Sequence, residues 1–261
     1  MPLNTSFRMV VKTSLLKASA LCPISHFKEK REKARDPQLL SRIDGGCSEI
    51  SGSWEKYYAT LKERPRRYRK FASFVVEALP AFKNQGIEFV LDLGCGAGRH
   101  SVYLARNGFD VVGIDVSKSA LRIAKEWAQE ENLGKVRLVQ GTMTHIPFRD
   151  SQFDAVISVS VVHHAVKEDI EKTIDEIHRI LKRNGIFLAN LASVKDPRYG
   201  KGEMVEADTF RMLEAFEEGQ FAELHHFFTR QKVSELLVPF SKAEVELLIT
   251  RPHYWKVKAI K

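Results

Sequence analysis

Short apolar runs alternate with helix-spaced apolar positions over the middle of the chain. The runs Phe89–Leu93, Asp110–Ile114 and Val136–Gln140 have the length and hydrophobicity of buried strands. Between them, apolar residues at three- and four-residue intervals predict a helix over Arg99–Asn107 and a second over Ser117–Asn132, with Ser117 as its N-cap. Strands that alternate with helices in this way indicate an α/β domain built on a parallel sheet.

The same order continues towards the end of the chain. Phe153–Ser158 and Ile186–Leu191 predict two further buried strands, and the spacing of isoleucines predicts a helix over Glu168–Leu181 between them. Two more strands are predicted over Ser241–Leu248 and Trp255–Ile260. We therefore expect a doubly wound sheet with helices on both faces.

Residues that favour helix ends set several boundaries. Thr229 is a good N-cap for a short helix over Arg230–Leu237. Gly185 follows a run of cations and is expected to be the C-terminal cap of the helix before it. Pro80 is expected to end a helix over Arg66–Leu79, because proline cannot donate the backbone hydrogen bond of an interior helical position.

The basic residues are unevenly distributed along the chain. The net charge is +8, but residues 1–70 hold 16 Lys and Arg against 7 Asp and Glu, so the remainder is close to neutral. We interpret residues 1–50 as a basic, flexible N-terminal extension and residues 51–261 as the folded domain. A basic arm can hold a nucleic acid through its phosphates. A solvated tail explains the same composition equally well.

The first 25 residues have features of an organellar transit peptide. No acid precedes Glu29, and apolar and basic residues are mixed with Ser and Thr. A disordered leader or an over-extended start explains the segment as well, since only one Arg occurs in the first 30 residues. Three scattered cysteines fit a reducing compartment, and no apolar run approaches the ~20 residues that span a bilayer. We expect a cytoplasmic protein, or an organellar one if residues 1–25 are a transit peptide.

A glycine-rich turn follows the first strand and carries most of the chemical information. Gly94, Gly96 and Gly98 separate Phe89–Leu93 from the next helix, and a ligand is expected where such a strand ends. Glycine accepts a positive φ and lets a ligand lie against the backbone. Asp92, inside the strand end, would repel a phosphate and suits an ammonium group.

The stretch Val90–Ser101 closely resembles motif I of the class I S-adenosylmethionine methyltransferases. The resemblance implies a Rossmann-like, seven-stranded, mostly parallel sheet whose last strand pair is antiparallel, with S-adenosylmethionine as the cofactor. It places cofactor binding at the carboxyl ends of the first four strands. The residues concerned are Asp92, Gly94, Gly96, Gly98, Arg99, Asp115, Val116, Thr142, Met143 and Ser158.

Two of these residues have expected partners on the cofactor. Asp115 lies 17 residues after Gly98, about where a second-strand acid accepts hydrogen bonds from ribose hydroxyls. Related methyltransferases commonly carry Asp at the position of Thr142, where it accepts from the adenine amino group. The threonine hydroxyl can accept one bond without charge, so we expect a looser adenine contact, or one made mainly by the backbone of Met143.

An aromatic segment precedes the sheet. Trp54, Tyr57, Tyr58 and Leu61 fit one face of a helix. In methyltransferases of this kind such a segment often forms a lid over the cofactor. Simple packing against the edge of the domain is equally consistent with the pattern.

Two histidine pairs are the candidate catalytic residues. His163 and His164 follow the fourth strand, whose end faces the transferable methyl in this fold, so one of them is expected to contact the acceptor. We assign no metal to this pair, because no Cys or carboxylate follows at ligand spacing. His225 and His226 lie in an insertion over residues 193–240, which normally covers the acceptor side. Either could act as a base or orienter, or simply pack the insertion down.

Residues 193–240 also resemble the tellurite-resistance-type subgroup of these methyltransferases, and with the core the resemblance covers about residues 85–248. We expect methyl transfer from S-adenosylmethionine to a small molecule or soft nucleophile by in-line displacement, with no membrane involved. An RNA acceptor is the alternative, since the histidine pair after strand four also resembles wobble-uridine tRNA methyltransferases and the basic arm could hold phosphates. A non-catalytic scaffold that binds S-adenosylmethionine is a third interpretation. The oligomeric state is left open.

Overall fold

A computed structural model describes residues 52–61, 70–216, 219–250 and 252–261. The predicted extension over residues 1–50, its interpretation as a transit peptide and the predicted helix start at Arg66 lie outside the described residues. Within the described ranges, no helix is both long and apolar enough to cross a membrane.

Seven strands form the central sheet, as predicted. They are β1 (Phe89–Leu93), β2 (Asp110–Asp115), β3 (Val136–Gln140), β4 (Phe153–Val159), β5 (Leu181–Ala192), β9 (Lys242–Leu248) and β10 (Tyr254–Ile260). Their order across the sheet is β3-β2-β1-β4-β5-β10-β9. The first five are parallel, and β10 runs antiparallel to both β5 and β9. This arrangement confirms the Rossmann-like α/β fold class.

Six described helices surround the sheet. They are α1 (residues 52–60), α2 (Ser73–Asn84), α3 (Arg99–Arg106), α4 (Lys118–Glu130), α5 (Lys167–Ile180) and α6 (Arg230–Leu236). Two of the predicted N-caps are confirmed. The Ser117 hydroxyl accepts from the backbone N–H of Ala120 at 3.0 Å, and the Thr229 hydroxyl accepts from that of Lys232 at 3.2 Å.

The core lies in two layers, one on each face of the sheet. On one face, Ile170 and Ile174 of α5 pack in the same cluster as Leu91 of β1. On the other, Phe74 of α2 packs in the same cluster as Val90. Neighbouring β1 residues enter different layers because successive strand side chains point to opposite faces. Each fully buried aliphatic side chain contributes about 1.5–3 kcal/mol, so the two layers hold the strand ends firmly in place.

A second, antiparallel sheet follows β5 inside the predicted insertion. Its strands are β6 (Glu203–Glu206), β7 (Thr209–Phe216) and β8 (Gly219–His226), in the order β6-β7-β8. The sequence did not predict these strands. The backbone N–H of His226 at the end of β8 donates to the carbonyl of His163 at 2.7 Å. This bond ties the small sheet to the loop after β4.

The predicted helix end at Pro80 is wrong. Helix α2 begins at Ser73 and continues through Pro80 to Asn84. Proline lacks the N–H that would bond to the carbonyl four residues earlier. That carbonyl belongs to Val76, which is exposed, so water can satisfy it.

The predicted glycine cap at Gly185 is also wrong. Leu181, directly after α5, is already extended and begins β5. The segment 182–185 then bends within the strand, and Asn184 has a φ of 63°. A Cβ on Gly185 would lie 2.7 Å from the carbonyl oxygen of Lys182. Glycine is therefore required by this bend and not by the helix end.

Candidate functional site

A cavity of about 390 Å³ opens at the carboxyl ends of the parallel strands. Its walls come from the turn after β1, the ends of β2 and β3, the loop after β4, and parts of α1 and β8. The strand order β3-β2-β1-β4 reverses direction between β1 and β4, which is where open α/β sheets bind ligands. The volume falls within the roughly 300–1,000 Å³ of small-ligand sites.

The glycine turn forms one wall of this cavity. Gly94, Gly96 and Gly98 all have positive φ, at 69°, 52° and 84°. A Cβ on Gly94 would lie 2.3 Å from a methyl carbon of Val161, and a Cβ on Gly98 would lie 2.8 Å from the Cβ of Ala124. Gly94 therefore permits close approach of the loop after β4, and Gly98 permits close approach of α4. Gly94 and Gly96 line the cavity, whereas Gly98 does not.

Asp115 ends β2 and lines the cavity beside the turn. Its two carboxylate oxygens accept from the backbone N–H groups of Gly96 at 2.8 Å and Ser117 at 2.9 Å. Burial raises the pKa of Asp115, and these backbone hydrogen bonds oppose the increase. Each carboxylate oxygen can accept more than one hydrogen bond, so capacity is left for donors from a ligand.

Asp92 lies behind the turn rather than on the cavity wall. Its side chain is 2% exposed, and its Oδ2 accepts from the Ser101 hydroxyl at 2.6 Å. Burial raises the pKa of Asp92 to about 6. It is not among the described residues that line the cavity, so direct contact with a ligand ammonium stays a prediction.

The loop after β3 forms a further part of the cavity wall. Together with the glycine turn and Asp115 it makes up what we call the cofactor end, after the binding expected from the sequence. Thr142 and Met143 both line the cavity, together with Val116 from the end of β2. The Thr142 hydroxyl lies 3.3 Å from that of Thr144. The Val116 carbonyl accepts from the Gln140 side chain at 3.0 Å. These bonds hold an uncharged part of the wall near the end of β2.

The first residues of α3 close the near side. Arg99 and His100 both line the cavity. Arg99 Nη1 donates to the Lys70 carbonyl at 3.2 Å, and His100 Nε2 accepts from the Ala72 backbone N–H at 3.2 Å. Burial lowers the pKa of His100 well below its ordinary value. Arg99 therefore brings a cation to this wall, and His100 brings a neutral ring.

Ser158 is not among the described residues that line the cavity, so its contact with the cofactor stays a prediction. It is fully buried, and its hydroxyl donates to the Leu93 carbonyl at 3.2 Å, which ties β4 to β1. β4 continues to Val159, and Ser160 after it has a φ of 59°. Val159 and Ser160 line the cavity instead. The Ser160 N–H donates to the side-chain oxygen of Asn190 at 2.7 Å.

Helix α1 covers the cavity and contacts both of its ends. Trp54 lines the cavity, with its ring centroid 5.5 Å from that of His164 and 4.9 Å from that of Phe221. On the other side, Glu55 accepts from the hydroxyls of Ser117 at 2.8 Å and Ser119 at 2.7 Å. Hydrogen bonds from Ser119 and Ser117 lower the Glu55 pKa against the opposing effect of burial. The aromatic face both packs on the domain and lines the cavity.

Three histidines meet beside the part of the cavity lined by His164 and His225, which we call the acceptor end after the role expected of these residues. One ring nitrogen from each of His163, His164 and His225 lies within 4.8 Å of the other two. His164 and His225 line the cavity, and His163 is fully buried beside them. Glu223 and His225 are two residues apart on β8 and therefore share one face. The Glu223 carboxylate lies 3.3 Å from His164 Nδ1 and 3.6 Å from His225 Nδ1.

All three imidazoles are held in the neutral form. Burial lowers the pKa of His164 to about 4 and lowers those of His163 and His225 still further from their ordinary values. The nearby Arg198 guanidinium adds to each decrease. A neutral imidazole keeps a lone pair for a proton or another electron-pair acceptor. Such strongly lowered pKa values make these rings weak bases.

His226 points to the other face of β8. Its Nδ1 is 2.6 Å from the Thr209 hydroxyl, which in turn donates to Glu206 at 2.9 Å. It is not among the described residues of the cavity wall. Of the two candidates in the insertion, the structure brings His225 to the site and leaves His226 in a supporting network.

Three polar residues of the cavity wall were not found by sequence reasoning. They are Arg198, Glu223 and Tyr254. Two residues that support the wall were also missed, namely Glu55, which bonds Ser117 and Ser119, and Asn190, which bonds Ser160. Arg198 Nε donates to Asp196 at 2.9 Å, and Tyr254 hydrogen bonds with Ser160 and Arg198. Glu223 has a period-two relation to His225, but that signal is visible only once β8 is known to be a strand.

Comparison with known proteins gives consistent matches to the core. Residues 91–189 match a protein-family model described as a methyltransferase domain. Over 98 residues the chain is 40% identical to the uncharacterized methyltransferase sll0829 of Synechocystis, which covers 38% of this chain and 44% of that protein. It is 28% identical over 134 residues to a ubiquinone biosynthesis O-methyltransferase of Rickettsia akari, covering 51% and 52% of the two chains. The chain thus spans about half or less of the length of these relatives.

A solved structure extends the match beyond the core. A SAM-dependent methyltransferase from Methanosarcina mazei is similar with a TM-score of 0.60 at 25% identity, covering 70% of this chain and 97% of that one. S-adenosylmethionine, on which the Methanosarcina mazei enzyme is said to depend, fits the residues found here. Asp115 offers acceptors for hydroxyls, Arg99 offers a cation for a carboxylate, and the acidic strand ends disfavour a phosphate.

Proposed function

We propose that this chain, an enzyme whose core is a class I methyltransferase domain with S-adenosylmethionine as cofactor, transfers the methyl group to a small-molecule or soft nucleophile acceptor. One observation carries the proposal. A single cavity is lined both by Asp115 and the glycine turn, the cofactor end, and by His164 and His225, the acceptor end. A donor held at the first end can therefore meet an acceptor held at the second.

The cofactor end would bind the nucleoside and the amino-acid part separately. Asp115 would accept from the ribose hydroxyls, while Thr142 and the backbone of Met143 would meet the adenine. Arg99 would lie near the carboxylate, with Asp92 adding negative charge behind the turn near the ammonium. The lack of a charged group at Thr142 predicts a weaker adenine contribution than in enzymes with Asp there.

The acceptor end favours a small, enclosed ligand. Its wall combines Trp54, His164 and His225 with the buried Glu223 carboxylate. The Rickettsia relative is named as an O-methyltransferase of ubiquinone biosynthesis, which supports a small-molecule acceptor here. The tellurite-resistance-type resemblance of residues 193–240 remains part of this proposal and points to a soft nucleophile.

The reaction would rest on alignment more than on proton transfer. S-adenosylmethionine, when bound, supplies a methyl group on an already electrophilic sulfonium. The protein has to hold the acceptor in line and exclude water, which Trp54 and the buried wall of the acceptor end can do. His164 and His225 can accept a proton because they are neutral. Their lowered pKa values suit an acceptor that is acidic or needs no deprotonation.

Methyl transfer from tritium-labelled S-adenosylmethionine into a fractionated cell extract tests the proposal. We expect the label in small metabolites when the full chain is added. Loss of the label with Asp115→Ala would tie the transfer to this cavity.

The other interpretations give different outcomes in the same assay. Label in RNA, with an affinity that falls as salt rises and is lost on deleting residues 1–50, would favour the RNA methyltransferase. No label in any fraction, with S-adenosylmethionine still bound in calorimetry, would favour the non-catalytic scaffold. Either result would overturn the small-molecule acceptor.

A further inference from the structure

Three imidazoles from distant parts of the chain converge without a function in cofactor binding. His163 and His164 come from the loop after β4, and His225 comes from β8. Their exposed fractions are 0%, 7% and 2%. The ring centroids of His163 and His164 are 4.3 Å apart, and those of His164 and His225 are 4.4 Å apart. Such a compact, buried group offers three lone-pair donors to a single ligand.

His163 gives a second sign that a ligand is missing. It is fully buried, and its hydrogen bond with the Asn190 backbone uses only one of its two ring nitrogens. The other ring nitrogen has no hydrogen-bond partner within the described residues. Buried polar side-chain atoms nearly always have a partner, and each exception needs an explanation. A ligand atom shared with the neighbouring rings would provide that partner.

The outer contacts have the pattern that orients metal-binding histidines. The Leu224 carbonyl lies 2.9 Å from His164 Nδ1 and can only accept, so Nδ1 carries the proton and Nε2 keeps its lone pair. The Glu223 carboxylate lies beside the Nδ1 atoms of both His164 and His225. A carbonyl or carboxylate at the second ring nitrogen is the usual support of a metal-bound imidazole.

We propose that His163, His164 and His225 form a binding site for a divalent transition-metal cation of the zinc type, with Glu223 orienting two of the ligands. Imidazole suits Zn²⁺ and its neighbours in the first transition row. Three histidines with a fourth, open position are a known arrangement of catalytic zinc. At Zn–N distances of about 2.0–2.1 Å the nitrogens would stand roughly 3.3 Å apart, so ring rotations that close a spacing of at most 4.8 Å would complete the site.

The open position would face the cavity, because His164 and His225 line it. A metal there could polarise an oxygen, nitrogen or sulfur atom of the acceptor. The surrounding charges permit a cation. The Arg198 guanidinium is paired with Asp196, and Glu223 adds a second carboxylate beside the rings. Sequence reasoning excluded a metal only because it considered ligands close to His163 and His164 along the chain.

Metal binding can be measured without any methyl transfer. The full chain, purified without a histidine tag and stripped with a chelator, would be titrated with Co²⁺ and followed by visible absorption. We expect one Co²⁺ per chain with the band pattern of a low-coordinate nitrogen site, and displacement by Zn²⁺ confirmed by elemental analysis. Because this readout needs neither cofactor nor acceptor, its result is independent of the proposed methyl transfer.

Single variants locate the site. His163→Gln and His225→Gln should weaken Co²⁺ binding at least about 100-fold, and Glu223→Gln should weaken it by about 10- to 100-fold. His178→Gln on α5, whose ring packs against Phe240, is the matched control and should bind as the unmodified chain does. Each variant is checked for folding by circular dichroism.

A replacement ligand keeps the test decisive if the glutamine variants unfold. His225→Cys retains a metal ligand and should add the intense sulfur-to-cobalt band of a thiolate. The proposal is overturned if the unmodified chain binds no Co²⁺. It is also overturned if all variants bind it equally, since the metal would then lie elsewhere.

Discussion

The two ends of the cavity are built in different ways. The cofactor end is made by residues between 93 and 143, largely from the backbone of the glycine turn and the Asp115 carboxylate at the end of the next strand. The acceptor end joins the loop after β4 to β8, and the hydrogen bond from His164 to the Leu224 carbonyl spans 60 positions. One end follows from the α/β fold itself, whereas the other depends on how the added sheet β6-β7-β8 is attached.

Burial acts on the ionisable groups of both ends, but in opposite directions. It raises the pKa values of Asp92 and Asp115 and lowers those of His163, His164 and His225. In each case the neutral form is favoured, as desolvation requires. Asp92 still ionises above about pH 6, so a nearby cation would relieve the cost of its buried charge, while the neutral imidazoles offer lone pairs. The comparison teaches that burial makes the carboxylates favour a cationic neighbour and leaves the imidazoles as electron-pair donors.

The largest expected effect separates the two ends. In the proposed binding mode, Asp115→Ala would remove the acceptor for two ribose hydroxyls, each charge-assisted bond contributing about 1.5–3 kcal/mol. We expect S-adenosylmethionine binding to weaken at least about 100-fold in calorimetry. Asp110→Ala, at the exposed start of the same strand, is the control and should bind normally. An Asp115→Ala protein that binds the cofactor as tightly as the control would contradict the assignment of the cofactor end.

A smaller effect tests the cost of burying charge behind the glycine turn. The pKa of Asp92 is raised from 3.8 to about 6, so the folded chain keeps a proton that the unfolded chain loses. The free energy of unfolding therefore falls as pH rises from about 4 to about 6 and stays lower above that range. Without cofactor, Asp92→Asn should be more stable than the unmodified chain by about 2 kcal/mol at about pH 7.5.

Urea unfolding across this pH range measures the difference. The advantage of Asp92→Asn should shrink as pH falls from about 6 to about 4 and vanish below about pH 3, where the aspartate is protonated in both states. The exposed Asp110→Asn provides the reference for a general effect of charge removal. A stability difference that does not change with pH would show that Asp92 is not penalised by burial.

The smallest effect concerns the helix that contacts both ends. If Trp54 acts as a lid, Trp54→Ala should raise the dissociation rate of S-adenosylmethionine about tenfold in stopped-flow experiments, since aromatic contacts of about 0.5–1.5 kcal/mol are lost. Lys56→Ala, exposed on the same helix, should leave the rate unchanged. A lower melting temperature with an unchanged dissociation rate would mean that the aromatic face serves packing alone.

The fold was largely predictable because its signals are local. The glycine turn, the strand ending at Asp115 and the caps Ser117 and Thr229 each depend on a few adjacent residues. The errors arose where local rules met a tertiary constraint. Pro80 is tolerated at an exposed helical position, and Gly185 serves a bend inside a strand.

The acceptor end was less predictable because its residues come together through tertiary contacts and not through local signals. His163 and His164 could be selected as a pair, but their meeting with His225 and Glu223 requires the register of β8 and its attachment near His163. Neither is encoded in the spacing along the chain. Burial also cannot be read from the pair alone, so the neutral state of the rings became apparent only in three dimensions.

The contact between Gly94 and Val161 has a consequence for the evolution of this architecture. Because any Cβ at position 94 would collide with the Val161 methyl carbons, position 94 cannot gain a side chain while valine stays at 161. A chain that gains one has to lose volume at 161 or move the loop after β4 outward, and it also has to tolerate a φ of 69°. Methyltransferases of this layout should therefore change position 94 only together with position 161, and those that do so will differ in the reach between donor and acceptor.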